Sequence, residues 1–158
     1  MKKTRAPLAL LSKKTVVFFA LVSCLTLTAP PVAPAQTPAA ESPEAVVRGF
    51  YDWYLGSLNR EDYNPLKRRR EALRFMTPQF HRQAPRIIAR QMVDIFICAQ
   101  DWQPEWGNDL AISAAPPRGP RARVTATFKY GSDADTRVRL TLLRVGRDWK
   151  INGADCGE

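Results

Sequence analysis

The sequence predicts an α+β domain: N-terminal helices packed on a curved antiparallel sheet of about four strands. Three observations carry this. Ser42–Leu58 is an aromatic helix, apolar around most of its circumference, so something must wrap it. From Leu110 onward the hydrophobic period changes from helical to two. All the helical patterns precede all the strand patterns, which is the order of an α+β domain with one buried sheet face.

The first helix starts with Ser42, Pro43 and Glu44: a hydroxyl cap, a ring-fixed φ and an acid in the first turn. Val46, Val47, Phe50, Tyr51, Trp53, Tyr54, Leu55 and Leu58 leave only a narrow polar stripe around Arg48, Asp52 and Asn59. Asn64 and Pro65 offer a second cap, followed by a short helix with a thin stripe of Leu66, Leu73 and Met76. Its basic run, Lys67–Arg70, reads either as a solvated face or as an anion contact. Thr77 and Pro78 begin a third helix that Pro85 is expected to break or kink. The pattern then resumes over Arg86–Phe96 with Ile88, Met92 and Ile95 on one side.

Leu110–Ala114 is a short strand, and Pro116–Pro120 is a loop. Arg121–Tyr130 alternates, with Ala122, Val124, Ala126, Phe128 and Tyr130 opposite Arg121, Arg123, Thr125, Thr127 and Lys129. Thr136–Val145 repeats the pattern, with Val138, Leu140 and Leu142 inward. Gly146–Asp148 then turns into Trp149-Lys150-Ile151.

Residues 1–35 read as a targeting segment. Lys2, Lys3, Arg5, Lys13 and Lys14 precede an apolar run, Thr15–Ala29, that is short for a membrane span, which needs roughly 17–25 residues. Ala33-Pro34-Ala35 fits the cleavage rule of a secretory signal. The alternative is lipidation at Cys24, since Leu21-Val22-Ser23-Cys24 is similar to a bacterial lipobox. Both readings place the chain in the periplasm or outside the cell, the second with a lipid anchor in the envelope. Residues 36–42 form a Pro/Ala-rich linker, and 43–158 a single domain. Five of the 24 basic residues lie before residue 36 and all 15 acids after it, so the remainder carries a formal +4 rather than +9. Charge and location together argue against a nucleic-acid partner.

With Cys24 removed or lipidated, Cys98 and Cys156 remain as an even pair in an oxidising compartment, which reads as a disulfide. No residue pattern identifies a reaction. The single histidine, His81, lacks the neighbours of a metal site, and it reads as a surface or capping residue. No nucleophile elbow, phosphate loop or dinucleotide fingerprint occurs, and no cofactor is expected. The ligand-binding candidates are Tyr51 and Tyr54, whose hydroxyls could reach a pocket, and Gln100, Asp101 and Trp102, which interrupt an apolar segment where helices give way to strands. Asp101 could act as a base if it were buried. The alternative is that Gln100 and Asp101 satisfy a tight turn while the aromatics pack. The basic strand face could meet an acidic partner or anionic surface, or could be a solvent face that discourages edge pairing.

Phe50–Leu55 (FYDWYL), Phe96–Trp102 (FICAQDW) and Asp148–Gly153 (DWKING), in that order, resemble the domain-of-unknown-function family 3828. The resemblance spans about residues 42–153 and implies a small exported bacterial protein of the nuclear transport factor 2-like (cystatin-like) superfamily. In that cone an N-terminal helix lies across a curved sheet and encloses a pocket. It implies no activity, because the superfamily holds both enzymes and binding modules. The reading placed first is a non-enzymatic exported binding module, with a cone pocket or sheet face for a small ligand or an envelope protein. A homodimer is also compatible with it. The alternatives are an interaction or immunity-type inhibitor using the basic face, and a small acid–base enzyme using Asp101 or Tyr54.

Overall fold

Ser42 caps the first helix through its side chain, which accepts from the Ala45 N–H at 3.2 Å, and Pro43 opens that helix, α1 (Pro43–Leu58). The computed structural model describes residues 41–129 and 135–157; the leader with Cys24, residues 36–40 of the linker and Tyr130 lie outside the described residues. After α1 come a 3₁₀ turn (Pro65–Lys67), α2 (Arg69–Phe75), α3 (Pro78–Gln91) and a second 3₁₀ turn (Pro104–Gly107). The strands β1 (Ala111–Ala114), β2 (Arg121–Phe128), β3 (Thr136–Val145) and β4 (Asp148–Gly157) follow, antiparallel and in sequence order across one sheet. This is the expected α+β arrangement.

Phe50 sits at the centre of the core. Its ring lies 5.0–6.1 Å from those of Tyr51, Trp53, Tyr54, Phe75 and Phe96. Ala122, Val124, Ala126 and Phe128 of β2 and Val138, Leu140 and Leu142 of β3 close the core from the sheet side, following the period-two pattern. At Gly49 an added Cβ would stand 3.3 Å from the Phe75 ring, so a glycine here lets α1 and α2 approach. Gly146, with φ +65°, opens a two-residue hairpin between β3 and β4, a conformation that favours glycine.

Three helical expectations need correction. Pro85 does not break α3, which runs on to Gln91. Its missing N–H falls on the exposed side of the helix, where the sequence could not show that the loss is tolerated. The helix then stops at Met92 in the left-handed region, so Met92 is exposed and Ile95 enters the core from a turn. Asn64 makes no side-chain cap, and the second helix divides into a 3₁₀ turn and α2.

The last strand is longer than Trp149–Ile151 because a bulge hides its continuation. Thr141 pairs with Gly153 and Leu142 with Ile151, which leaves Asn152 as an extra residue. Trp149 and Ile151 face the core before the bulge; Ala154 and Cys156, opposite Leu140 and Val138, face it afterwards. Without that one-residue shift, Cys156 would point to the opposite face of the sheet. The bulged Asn152 accepts through Oδ1 from the Thr77 hydroxyl at 2.8 Å, and Thr77 N–H donates to Ile151 O at 2.9 Å. The bulge therefore anchors the start of α3 and aims Cys156 inward.

Candidate functional site

The space between α1 and the sheet is packed: Phe50, Tyr51, Phe96 and Phe128 are all fully buried there. The expected cone pocket is therefore filled by the chain's own aromatic side chains. A groove of about 950 Å³ lies instead beside the C-terminal half of α1, bounded by the 3₁₀ turn at Pro65, the end of α3 and the segment 92–103. It brings together four of the five ligand candidates: Tyr54, Gln100, Asp101 and Trp102. Tyr51 is not among them, because it lies in the core beneath.

The groove wall is a turn held from three sides. Asp94 N–H donates to Ala99 O at 3.0 Å, Cys98 N–H donates back to Asp94 O, and Cys98 takes φ +53° to close the turn. Asp94 Oδ1 accepts from Phe96 N–H at 2.8 Å, an Asx turn that fixes the carboxylate on its own backbone. From α1, Tyr51 donates to Phe96 O at 2.9 Å and Tyr54 to Asp94 Oδ2 at 2.6 Å. From the sheet, Cys156 reaches Cys98 across a Cα–Cα distance of 5.6 Å, and the two sulfurs form a disulfide. Trp102 donates through Nε1 to Asn59 Oδ1 at 2.7 Å and meets Trp106 edge-on, extending the same docking toward the end of α1.

Electrostatics follow from this enclosure. Burial pushes the Asp94 carboxyl up, against the lowering effect of the Tyr54 and Phe96 hydrogen bonds. Burial also pushes the Tyr54 hydroxyl well up, reinforced by the neighbouring Asp94 charge, so Tyr54 stays a neutral donor. Asp101 is exposed, so the burial that would make it a base is absent; the enclosed carboxylate is Asp94. Asp94 is not among the residues expected from the sequence, because it stands in an apolar run. The sequence signal for it is an acid set inside the apolar run Met92–Ile97, where a carboxylate must find internal partners.

Of the two roles expected for His81 the structure shows the capping one, whereas Arg68 differs from expectation. His81 is half-buried and bridges α3 to the first 3₁₀ turn, its Nε2–H donating to Leu66 O at 2.9 Å. Arg68 is not a solvated member of the basic run. It donates through Nη1 to Glu71 Oε2 at 3.0 Å and through Nη2 to Ser57 Oγ, and it stands 5.4 Å from the Trp53 ring centre. Its Nε also lies 3.0 Å from Asp62 Oδ2. Among the described residues no group of three His, Cys, Asp or Glu is placed to hold a metal ion.

No protein-family model and no curated protein sequence matches the chain. Solved structures do. A chain of the type VI native effector–immunity complex Tae3–Tai3 from Ralstonia pickettii matches with 27% identity and a TM-score of 0.63, over 74% of this chain and 96% of that one. The selenomethionine form of that complex matches at 26% identity and TM-score 0.62, over 74% and 98%. A protein of unknown function from Bacteroides thetaiotaomicron shares the fold, with 18% identity and a TM-score of 0.56 over 70% and 86%.

Proposed function

We propose that this chain is an immunity-type inhibitor, a small exported domain that binds a toxin protein and blocks it. The observation that carries the reading is the likeness, at 26–27% identity, to nearly the full length of a chain from an effector–immunity complex. Of the two roles in such a complex, the site chemistry supports the inhibitor. Both carboxylate oxygens of Asp94 are committed to holding a turn, Tyr54 is kept neutral by burial, and both Cys98 and Cys156 are in a disulfide. These groups rigidify a surface rather than poise a proton or a nucleophile. A pre-formed surface suits tight inhibition, since little ordering is lost on binding. The leader would export the chain, in soluble form or anchored at Cys24.

The test is size-exclusion chromatography of the purified protein mixed with an effector of the Tae3 kind from the same organism. A stable complex of defined stoichiometry is expected. Independent elution of both proteins at micromolar concentration would remove the reading.

A further inference from the structure

The outer face of the sheet has no role in the packing described above. The strand register puts Arg121, Arg123, Arg137 and Arg139 on it. Asp155 lies among them and pairs with Arg139 at 2.8 Å. Among the described residues, Arg121, Arg123 and Arg137 have no acidic partner.

Protection of a sheet edge does not account for these charges. Edge strands carry such residues to deter pairing, but β3 is paired on both sides at Arg137 and Arg139, and beyond the end of β1 the β2 backbone is already engaged by Ala115 N–H on Arg123 O and by the Arg118–Arg121 bridge. Nor is the arrangement neutral in energy. Arg121 and Arg123 are two residues apart on one strand, roughly 7 Å. Arg123 and Arg139 are diagonal neighbours across the β2–β3 register, about 7–8 Å apart. These spacings are within the screening length of about 8 Å at physiological salt; Asp155 compensates Arg139, while Arg121 and Arg123 repel each other until a counter-charge arrives. Between them the face is low and flat, because Thr125 and Thr141 pair there with Ser113 and Gly153. Two shallow depressions of about 420 and 400 Å³ adjoin on it, both lined by Arg123 and Thr141.

We infer that this face is the docking surface for an acidic protein partner, whose carboxylates seat over Arg121, Arg123 and Arg137. A flat floor of small hydroxyl side chains lets such a partner approach the sheet, and each guanidinium can take a carboxylate through two parallel hydrogen bonds. Asp155 favours a protein over a nucleic acid or a lipid surface. A continuous array of phosphates would meet its carboxylate, whereas a protein surface can present a donor there. Identification of that partner as the toxin rests on the immunity-type reading above.

The experiment is an amide chemical-shift titration of the isotope-labelled, exported protein with poly-L-glutamate at about 50 mM salt, where such contacts are strong. It is repeated with Arg123→Glu/Arg137→Glu and with Arg82→Glu/Arg86→Glu, which reverses two exposed charges on α3. The expected result is shifts on β2 and β3, an affinity loss of at least about tenfold in the sheet variant, and retained affinity in the α3 variant. Shifts centred on α2 and α3, or an equal loss in both variants, would overturn the inference. Tighter binding of duplex DNA or phosphatidylglycerol vesicles to the same face would also overturn it. Neutralisation of the toxin separates the two claims. Full potency in the sheet variant would remove the surface and keep the inhibitor; positive titration without neutralisation by the wild type would do the reverse.

Discussion

Tyr54 donates its hydroxyl to Asp94 Oδ2 at 2.6 Å, joining the middle of the first helix to a turn 40 residues later in the chain. Tyr51, one turn back on the same helix, holds the other side of that turn through Phe96 O. The pair accounts for why the aromatic helix carries tyrosine rather than phenylalanine at these two positions.

Tyr54→Phe keeps the ring and removes the donor, leaving an enclosed carboxylate oxygen with one partner fewer. The expected loss is about 1–3 kcal/mol of unfolding free energy, and about 0.5–1.5 kcal/mol for Tyr51→Phe, where a carbonyl is left. Urea unfolding followed by tryptophan fluorescence measures both. No loss in either variant would mean that the bonds do not hold the turn.

Asp94 also sets a pH dependence. Its folded-state carboxyl is raised above the ordinary aspartate value, about 3.9, because burial disfavours the charge. The folded state therefore holds this proton more tightly than the unfolded chain does. The stabilising contribution is fully present below about 3.9 and is lost as pH rises through the folded value. Asp94→Asn should flatten this fall of stability in the weakly acidic range, as read by thermal unfolding from about pH 4 to 7. An unchanged slope in the variant would assign the dependence elsewhere.

The fold was largely legible in the sequence because its core obeys simple periods. Ser42-Pro43-Glu44 starts a helix on local chemistry alone, and β2 throughout and β3 as far as Leu142 alternate inward and outward. The site was legible only in part. Gln100, Asp101 and Trp102 do line the groove, but Asp94 entered it through an Asx turn set in an apolar run. The second half of β4 was hidden by the bulge at Asn152, which reverses the alternation by one residue. Pro85 misled for a related reason: a proline disrupts a helix through one lost hydrogen bond and one clash, and both can be absorbed on a solvent-facing side.

Reduction of the Cys98–Cys156 disulfide should lower stability by about 4 kcal/mol on the chain-entropy model, since it closes a loop with a sequence separation of 58. Thermal unfolding with and without a phosphine reductant measures the change. Alkylation and mass spectrometry of unreduced protein should find neither thiol accessible. Two alkylated thiols in protein taken from the periplasm would contradict the bond.

Arg68 is predicted to differ from its neighbours in the basic run. Arg68→Ala removes the contacts to Glu71, Ser57 and the Trp53 face, with an expected loss of about 1–2 kcal/mol; Arg69→Ala and Arg70→Ala should stay within about 0.5 kcal/mol. Lysine at position 68 should recover little, because a point charge cannot make the fork and the stack together. Equal effects at all three positions would return Arg68 to the solvated face.

The most direct measurement of the central claim is growth of cells that express an effector of the Tae3 kind in the periplasm, with and without this protein. Restored growth with the exported protein, absent when its leader is removed, is the predicted result. Equal killing in both cases, with the inhibitor folded and present in the periplasm, would contradict an immunity role.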